Sequence, residues 1–482
     1  MTKHKTTTVL FYILNILQLN LLHLCFSQTV IKTLPGFSGQ LPFKLETGYV
    51  GLGDGEDLQM FYYFVESERN PRDDPLMIWI TGGPGCASPR TFFYYTGPLK
   101  FDYANSDGKI PQVVVNSYSW TKVSNLIFVD PPGCGFTYTK SKESYRNSDT
   151  LMAASIYEFL MKWLKTHPKF LKNPLYVSGV SYSGITVPIM IQNIINGNEA
   201  GNDPKLNIKG YMIGNPLTDR NIDFNARIPY ANHFALLSNE LFKTTKALCN
   251  DEYIEVNPAN HLCLKALAEV NECLMYLYDQ QILEPICVMD MTAKSILQLW
   301  NGNSSKRNPT TALPSLSQPQ PDSWCREDNY KYAIAWTSDE SVQKALHIRE
   351  GTIDGWVMCN TDHYDINKED TETYSYDIAS SIAYHRNLTK KNCRALIYSG
   401  DHDLVFPYIG TRKWIHTLGL SVDRTWKPWF VNKQVAGYSE IFSHDDYSLT
   451  FATVKGAGHT APAFKPEESL AMVDRWLSHA LL

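Results

Sequence analysis

A serine stands in a glycine-flanked turn at residues 176–184, which read Tyr-Val-Ser-Gly-Val-Ser-Tyr-Ser-Gly. The residues before it are typical of a strand, and those after it, 186–195, are typical of a helix. A tight turn between a strand and a helix lifts a side chain clear of the sheet edge, and its two arms need small residues where they approach. Gly179 and Ser183 meet that need. Ser181 is therefore a candidate nucleophile, although such a turn can equally be structural.

A serine hydroxyl needs a base to accept its proton and a carboxylate to orient that base. Two later predicted strands end in loops with such groups, Gly-Asp-His-Asp and Gly-His-Thr-Ala-Pro. We predict His459 as the base and Asp403 as its partner. Asp401 directly follows a glycine and is expected to shape the turn, while His402 is expected to be a neighbour only. One aspartate or histidine in such a loop is commonly structural, but the order serine, aspartate, histidine, each after a strand, favours catalysis.

Acyl chemistry also needs backbone N–H groups that face the developing oxyanion. Residues 81–86, Thr-Gly-Gly-Pro-Gly-Cys, follow another predicted strand and contain enough glycine for the main chain to approach a ligand closely. The backbone amides of Gly83 and Tyr182 are the predicted oxyanion hole. A plain glycine turn is the alternative interpretation.

The elements that must position these residues indicate an α/β fold. Short apolar runs, rich in β-branched and aromatic residues, are followed by glycine-containing loops and helical patterns, as in a parallel sheet with crossover helices. The predicted strands are residues 76–80, 126–129, 175–177, 395–398 and 450–454. A proline and two glutamates at 466–468 predict the start of a C-terminal amphipathic helix.

The segment at 215–341 differs in character and predicts an inserted cap. It shows helical periodicity at 238–248 and 262–277 and carries five cysteines. The cap would divide the core into a first part at 28–214 and a second part at 342–482. Within the cap, a run rich in Asn, Ser, Thr, Pro and Gln from Asn301 to Ser323 predicts a linker, a preferred kind of site for proteolysis.

The composition is that of an ordinary folded protein. Of 482 residues, 44% are hydrophobic and 19% charged, which excludes a disordered or fibrous chain. The formal charge is −5 and no long Lys/Arg run occurs, so a nucleic-acid partner is not expected. A small or extended molecule is the expected partner.

The N-terminus predicts secretion. Lys3 and Lys5 precede a mainly apolar run at 9–26, which indicates a signal peptide of residues 1–27 with cleavage after Ser27. A retained anchor is the alternative, but three polar residues interrupt the run. After removal no membrane association is expected, and the protein would be extracellular or vacuolar.

Secretion makes disulfides the default state of the nine remaining cysteines. Their spacings do not form paired CxxC sets with histidines, so no metal site is predicted, and we expect no cofactor. The odd number leaves at least one thiol free or paired with another molecule. The sequons at Asn303 and Asn387 are candidate glycan sites.

Four motifs together resemble those of the plant serine carboxypeptidase-like family. They are Trp-Ile-Thr-Gly-Gly-Pro-Gly-Cys, Gly-Val-Ser-Tyr-Ser-Gly, Gly-Asp-His-Asp and Gly-His-Thr-Ala-Pro, in this order. The resemblance runs from about residue 31 to the C-terminus and implies an α/β-hydrolase fold with a mostly parallel central sheet, flanking helices and a helical cap. It also implies the disulfides Cys86–Cys359, Cys249–Cys263 and Cys287–Cys325, and it leaves Cys134, Cys273 and Cys393 unassigned.

Departures from the family pattern bear on the substrate. The family's peptidases resemble one another in holding the substrate's C-terminal carboxylate with a Trp, an Asn and an acidic residue before the nucleophile. Here Trp79 remains, but Thr81 and Val180 stand at the other two positions. A lost partner for a bound charged group costs about 1 to 3 kcal/mol, so recognition of a peptide C-terminus should weaken.

Thr81 is similar to the branch of the family that transfers acyl groups from glucose esters to alcohols or amines. That branch usually keeps an Asp at the position of Val180, and the loop at 130–136 is one residue shorter than is usual. We therefore predict an acyl-enzyme mechanism, with acyl transfer slightly ahead of carboxypeptidase action on peptides. A secreted binding protein with weak catalysis is the third possibility. The oligomeric state stays open.

Overall fold

The computed structural model describes residues 28–106, 109–141, 145–287, 325–353, 355–365 and 369–482. The predicted signal peptide, the predicted linker and the sequon at Asn303 lie outside the described residues. The boundaries of the core and the cap stay predictions.

The described strands form a twelve-stranded sheet and two short ribbons. They are β1 (Gln28–Ile31), β2 (Leu45–Leu52), β3 (Leu58–Val65), β4 (Leu76–Ile80), β5 (Leu99–Phe101), β6 (Val113–Val115), β7 (Asn125–Val129), β8 (Tyr138–Thr139), β9 (Asn147–Ser148), β10 (Leu175–Val180), β11 (Ile208–Gly214), β12 (Tyr374–Ser375), β13 (Arg394–Gly400), β14 (Ser421–Val431), β15 (Gln434–His444) and β16 (Tyr447–Val454). All five strands predicted from the sequence are present.

The large sheet is mixed. Its order is β1-β2-β3-β7-β4-β10-β11-β13-β16-β15-β14, with β8 paired to β3. The six strands from β7 to β16 in this order run parallel, and antiparallel strands extend the sheet on both sides. The expected mostly parallel arrangement thus holds for the centre. The hairpin of β14 and β15 closes through Asn432 and Lys433, which both have positive φ, as a two-residue turn with a matching twist requires.

Helices pack on both faces of the sheet. They are α1 (Pro89–Tyr94), α2 (Asp149–Thr166), α3 (Ser183–Glu199), α4 (Arg220–Asn225), α5 (Arg227–His233), α6 (Asn239–Cys249), α7 (His261–Leu274), α8 (Tyr330–Ser338), α9 (Glu340–Ala345), α10 (Ile382–Leu388), α11 (Tyr408–His416), α12 (Ala461–Phe464) and α13 (Pro466–Leu477). In the part of the chain that is described, none is long and apolar enough to cross a membrane.

Two large apolar clusters cover the two faces of the sheet. Ile78 belongs to the first cluster and its neighbour Trp79 to the second, because successive side chains of a strand point to opposite faces. The first cluster takes in α2 and α3, and the second takes in α8 and α13. The central strands are therefore buried on both faces, which fixes their register and the positions of the loops at their ends.

A third, smaller cluster lies within residues 228–282 and reaches the core at Leu404. Helices α6 and α7 supply much of it, and a disulfide between Cys249 and Cys263 joins them. Ser238 and Asn260 begin these helices by accepting hydrogen bonds from backbone N–H groups of the first turn. Both helices predicted in this segment are present.

Candidate active site

Three side chains from distant parts of the chain meet at one edge of the sheet. Ser181 follows β10, Asp403 follows β13 and His459 follows β16, and the carboxyl ends of these parallel strands share that edge. Nε2 of His459 lies 2.8 Å from Oγ of Ser181, and Nδ1 lies 2.9 Å from Oδ2 of Asp403. With the proton on Nδ1, the ring donates to the carboxylate and accepts from the serine hydroxyl, which is the arrangement needed for nucleophilic attack.

The backbone holds Ser181 in a strained turn. Its φ is +63°, a left-handed conformation that costs a residue other than glycine about 1 to 2 kcal/mol. A side chain at Gly179 would overlap Ser183, and one at Gly184 would overlap the carbonyl of Leu217. Small residues on both arms thus allow the sharp turn that presents the hydroxyl.

Asp403 is fully buried and accepts several hydrogen bonds besides the one from His459. The backbone N–H groups of Val405 and Phe406 donate to it at 2.8 and 3.3 Å, and the side-chain amide of Asn215 donates at 2.8 Å. Sequence reasoning missed Asn215, which comes directly after β11, a strand that was not predicted. A polar residue directly after that strand would have been the signal.

Asp401 and His402 lie beside the candidate triad. The carboxylate of Asp401 accepts the N–H of Gly456 at 2.7 Å, and its backbone carbonyl accepts the hydroxyl of Tyr230 at 2.7 Å. Asp401 therefore joins the aspartate loop to the histidine loop, in keeping with the expectation that it shapes the turn. The two imidazole nitrogens of His459 bond to Asp403 and Ser181, so His402 is a neighbour of the candidate triad.

A short segment, which we call the strap (residues 278–282), crosses the two catalytic loops. The N–H of His459 donates to the carbonyl of Gln280 at 2.7 Å, and the N–H of Leu404 donates to that of Asp279 at 2.9 Å. The strap therefore holds the loops of both the base and its carboxylate partner through backbone hydrogen bonds. Nothing in the sequence marked this contact.

The glycine loop at 81–86 lies against the nucleophile turn. A side chain at Gly82 would come within 2.8 Å of Cβ of Ser181 and 3.2 Å of the nitrogen of Tyr182. Gly83 has a φ of +130°, which only glycine adopts readily. The structure thus brings the two backbone segments of the predicted oxyanion hole together beside the serine.

The side chain of Tyr182 points away from this hole and into a buried polar cluster. Its hydroxyl donates to Asp149 at 2.6 Å, and Asp149 also accepts from the hydroxyl of Tyr374 at 2.7 Å and the N–H of Ile378 at 3.1 Å. Burial raises the pKa of Asp149 to about 6, although these hydrogen bonds oppose the change. Asp149 thereby ties the residue after the nucleophile to the start of α2.

The three predicted substrate-binding side chains lie inside the protein. Trp79 is 1% exposed and packs edge-on against Trp120 at 5.2 Å between ring centres. Thr81 is 6% exposed and shares a hydrogen bond of 2.9 Å with the hydroxyl of Thr91, and Val180 is 3% exposed in the second apolar cluster. Their contact with a substrate stays a prediction.

The cysteines pair as the resemblance implied. Disulfides join Cys86 to Cys359, Cys249 to Cys263 and Cys287 to Cys325. Cys134 and Cys393 are buried free thiols, and Cys273 is an exposed one. The first disulfide connects the glycine loop to a distant part of the chain and so stiffens the site.

Comparison with known proteins gives consistent results. The sequence profile described as Serine carboxypeptidase matches residues 35–479. The chain is 43% identical over 456 residues to Serine carboxypeptidase-like 3 of Arabidopsis thaliana. This alignment covers 94% of this chain and 93% of the relative. The chain is 42% identical over 463 residues to Serine carboxypeptidase-like 17 of the same species, which covers 96% of each.

Among solved structures, the prohormone-processing carboxypeptidase Kex1(Δ)p of Saccharomyces cerevisiae matches with a TM-score of 0.69 and 21% identity. The match covers 94% of this chain and 95% of that one. At this identity the similarity establishes the fold, which is that of an α/β-hydrolase.

Proposed function

The chain belongs to the serine carboxypeptidase family of hydrolases, and on that premise we propose that it works through an acyl intermediate on Ser181. The observation that carries the proposal is the continuous hydrogen-bond chain from Ser181 through His459 to Asp403, with contacts of 2.8 and 2.9 Å. The strained turn at Ser181 supports it, because strain of this kind concentrates at functional sites.

The reaction takes two steps. The imidazole of His459 accepts the proton of the Ser181 hydroxyl as Oγ attacks the acyl carbon of the substrate, and Asp403 stabilises the imidazolium that forms. The backbone amides of Gly83 and Tyr182 would stabilise the oxyanion of the tetrahedral intermediate. The leaving group departs with the proton held by His459, and the acyl group stays on Ser181 as an ester. No cofactor is needed for these steps.

The second step decides the reaction class. We propose that an alcohol or amine, activated by His459, takes the acyl group from Ser181, and that an activated ester such as a glucose ester is the donor. Support comes from Thr81 and Val180. The Thr81 hydroxyl shares a hydrogen bond with Thr91, and Val180 is apolar and buried. Neither therefore offers the side chain with which the family's peptidases hold a peptide C-terminus.

Carboxypeptidase action is the second candidate. In that case water resolves the acyl-enzyme, and the leaving group is a C-terminal amino acid. The family itself and the carboxypeptidase of similar fold favour it. Incubation of the purified protein with acyl-glucose esters and acceptors, in parallel with blocked dipeptides at acid pH, separates the two. Release of amino acids without any transfer product would place carboxypeptidase action ahead of acyl transfer.

The third candidate, a binding protein that retains the fold, is tested by covalent labelling. A serine-directed phosphonate should label the wild-type protein and leave Ser181→Ala unlabelled. Absence of labelling in the folded wild-type protein would favour the binding protein.

We also propose that the protein enters the secretory pathway and acts in the extracellular space or the vacuole. The three disulfides among the described residues suit an oxidising compartment. The sequon at Asn387 lies on an exposed part of α10, where a glycan could be attached. Enzymatic deglycosylation of the mature protein would test this by a change in mass.

A further inference from the structure

An arginine without an acidic partner lies beside the glycine loop. Nε of Arg90 donates to the hydroxyl of Tyr95 at 2.7 Å and Nη2 donates to that of Tyr330 at 3.2 Å, while Nη1 lies 3.6 and 3.4 Å from the sulfurs of Cys86 and Cys359. Among the described residues, no carboxylate forms an ion pair with it. A guanidinium keeps its charge in proteins, and the acceptors that meet this charge are all neutral.

Arg90 is enclosed by protein but not sealed off. Protein surrounds its guanidinium, which stacks on the ring of Tyr330 at 4.8 Å, yet part of the residue remains exposed to solvent. We infer that the exposed side of Arg90 opens into a recess, which we call the Arg90 recess. Around it we place Tyr95, Tyr278, Tyr330 and the disulfide Cys86–Cys359.

The recess adjoins the candidate oxyanion hole. Arg90 contacts the sulfur of Cys86, and that sulfur lies 3.0 Å from the position that a side chain on Gly83 would occupy. The preceding residue, Gly82, packs directly against Ser181. Only a few contacts therefore separate the guanidinium from the nucleophile.

A second, independent observation comes from the strap. The Tyr278 hydroxyl is buried and has no hydrogen-bond partner in the part of the chain that is described. The charges of Glu327 and Arg90 both act on it. A buried hydroxyl without a partner is costly, so a bound group that accepts a hydrogen bond from it would be favoured. Two residues further along the strap, the carbonyl of Gln280 accepts the N–H of His459, so the strap also connects the recess with the candidate base.

Arg227 also lies near the candidate triad, but its surroundings differ. Its Nε donates to the carbonyl of Val405 at 2.9 Å, and the carboxylates of Asp279 and Asp403 act on its charge. Its positive charge is thus offset by the protein. Arg90 has no such compensation from the described residues, which makes it the better place for a negatively charged ligand.

We propose that the Arg90 recess binds a carboxylate of the substrate, with Arg90 and the hydroxyl of Tyr278 as donors. This inference rests on the proposed acyl-enzyme function of Ser181. A carboxylate is a charged acceptor and would bind the guanidinium more strongly than its neutral acceptors do. It would take over the role that Thr81 and Val180 cannot fill. The carboxylate can belong to the C-terminus of a peptide or to an acidic acyl acceptor.

Substrate pairs that differ only in charge test the proposal. Blocked dipeptides with a free C-terminus are compared with their amides, and hydroxy-acid acceptors with their methyl esters, for the wild-type protein, Arg90→Gln and Arg90→Lys. We expect Arg90→Gln to raise KM for the carboxylate members about tenfold or more, with kcat changed by less than about threefold. KM for the neutral members should hardly change, and Arg90→Lys should recover part of the loss. The pair that responds identifies the source of the carboxylate.

Arg349→Gln is the matched control. Arg349 also stacks on a tyrosine ring, at 4.5 Å from that of Tyr49, and donates to a tyrosine hydroxyl, but it is exposed and makes no contact with the glycine loop. An equal loss with charged and neutral substrates in Arg90→Gln would make Arg90 structural and overturn the proposal. If Arg90→Gln does not fold, Arg90→Lys is compared with the wild-type protein instead. Equal KM values of these two proteins for both members of each pair, together with no preference of the wild-type protein for the carboxylate, would overturn the proposal. Failure of the phosphonate to label Ser181 would instead overturn the proposed function itself.

Discussion

The side-chain amide of Asn215 donates a hydrogen bond of 2.8 Å to Oδ2 of Asp403, the same oxygen that accepts from His459 at 2.9 Å. The other end of the amide accepts the N–H of Gly400 at 3.1 Å. Asn215 thus fixes the carboxylate relative to the strand that carries it. A carboxylate that must orient an imidazole depends on such contacts, because a small rotation would misplace the ring.

We expect Asn215→Gly to lower kcat about tenfold or more with little effect on KM, since a hydrogen bond to a charged group is lost. Glycine suits the backbone here, where φ is +40°. Asn215→Ala should lose the same activity and additionally be less stable, because alanine is strained at that φ. Steady-state kinetics and urea unfolding of both variants provide the measurement. An unchanged kcat in folded Asn215→Gly would contradict the positioning role.

Two substitutions of Ser181 distinguish the backbone strain at this residue from its role in the reaction. Both Ser181→Ala and Ser181→Gly should lose at least about four orders of magnitude in kcat, because no nucleophile remains. Glycine relieves the strain at φ +63°, so Ser181→Gly should unfold at higher urea concentration, with a gain of about 1 kcal/mol over Ser181→Ala. Equal stability of the two variants would show that the turn is not strained.

Much of the site could be predicted because the position of each residue follows from the strand that precedes it in the sequence. Each member of the candidate triad follows an apolar strand, and parallel strands end at one edge, so Ser181, Asp403 and His459 had to come near one another. The burial of those strands on both faces produced the continuous apolar runs that made them recognisable.

The remaining features left no comparable pattern. Polar residues are interspersed along β14 and β15, so these strands lack the apolar runs of the buried strands. The strap contacts residues far away in the chain through its backbone carbonyls, which every residue possesses. The side-chain types in the sequence therefore do not indicate these contacts. Asn215 was hidden for a related reason, since its strand was not predicted.

The buried carboxyl of Asp149 should make stability depend on pH. Its pKa is raised to about 6 by burial, compared with about 3.9 in an unfolded chain. Between about pH 4 and pH 6 the folded state therefore holds the proton more tightly than the unfolded state, and this contribution to stability is lost as the pH rises through that window.

We expect the wild-type free energy of unfolding to fall from pH 5 to pH 7 by more than that of Asp149→Asn, measured by urea unfolding. Asp130, whose pKa burial also raises to about 6, should leave a residual slope in the variant. Asp149→Asn should also retain hydrogen bonds from Tyr182 and Tyr374, because the amide oxygen still accepts. An identical pH dependence in both proteins would contradict the role of Asp149.

The free thiols should differ sharply in reactivity. Cys273 is exposed, whereas burial raises the pKa of Cys393 to about 12 and that of Cys134 well above its usual range. The thiolate is the reactive form, so a maleimide should modify Cys273 in the native protein and reach the other two only after unfolding. Peptide mass spectrometry with and without urea gives the result. Native labelling at Cys134 would show that its surroundings open readily.

Gly458 provides the sharpest test of the strap. A side chain on this residue would overlap the carbonyl oxygen of Gln280, the same oxygen that accepts the N–H of His459 at 2.7 Å. Gly458→Ala must therefore push the strap away from the histidine loop. We expect kcat to fall about a hundredfold, because a displacement near 1 Å suffices for that, and stability to fall by about 1 to 3 kcal/mol. Gly355→Ala is the control, since a side chain there meets no atom within 4 Å, and it should leave both quantities unchanged. Because the strap holds the base through this one backbone contact, a Gly458→Ala protein with normal kcat would show that His459 is positioned by Asp403 and Ser181 alone.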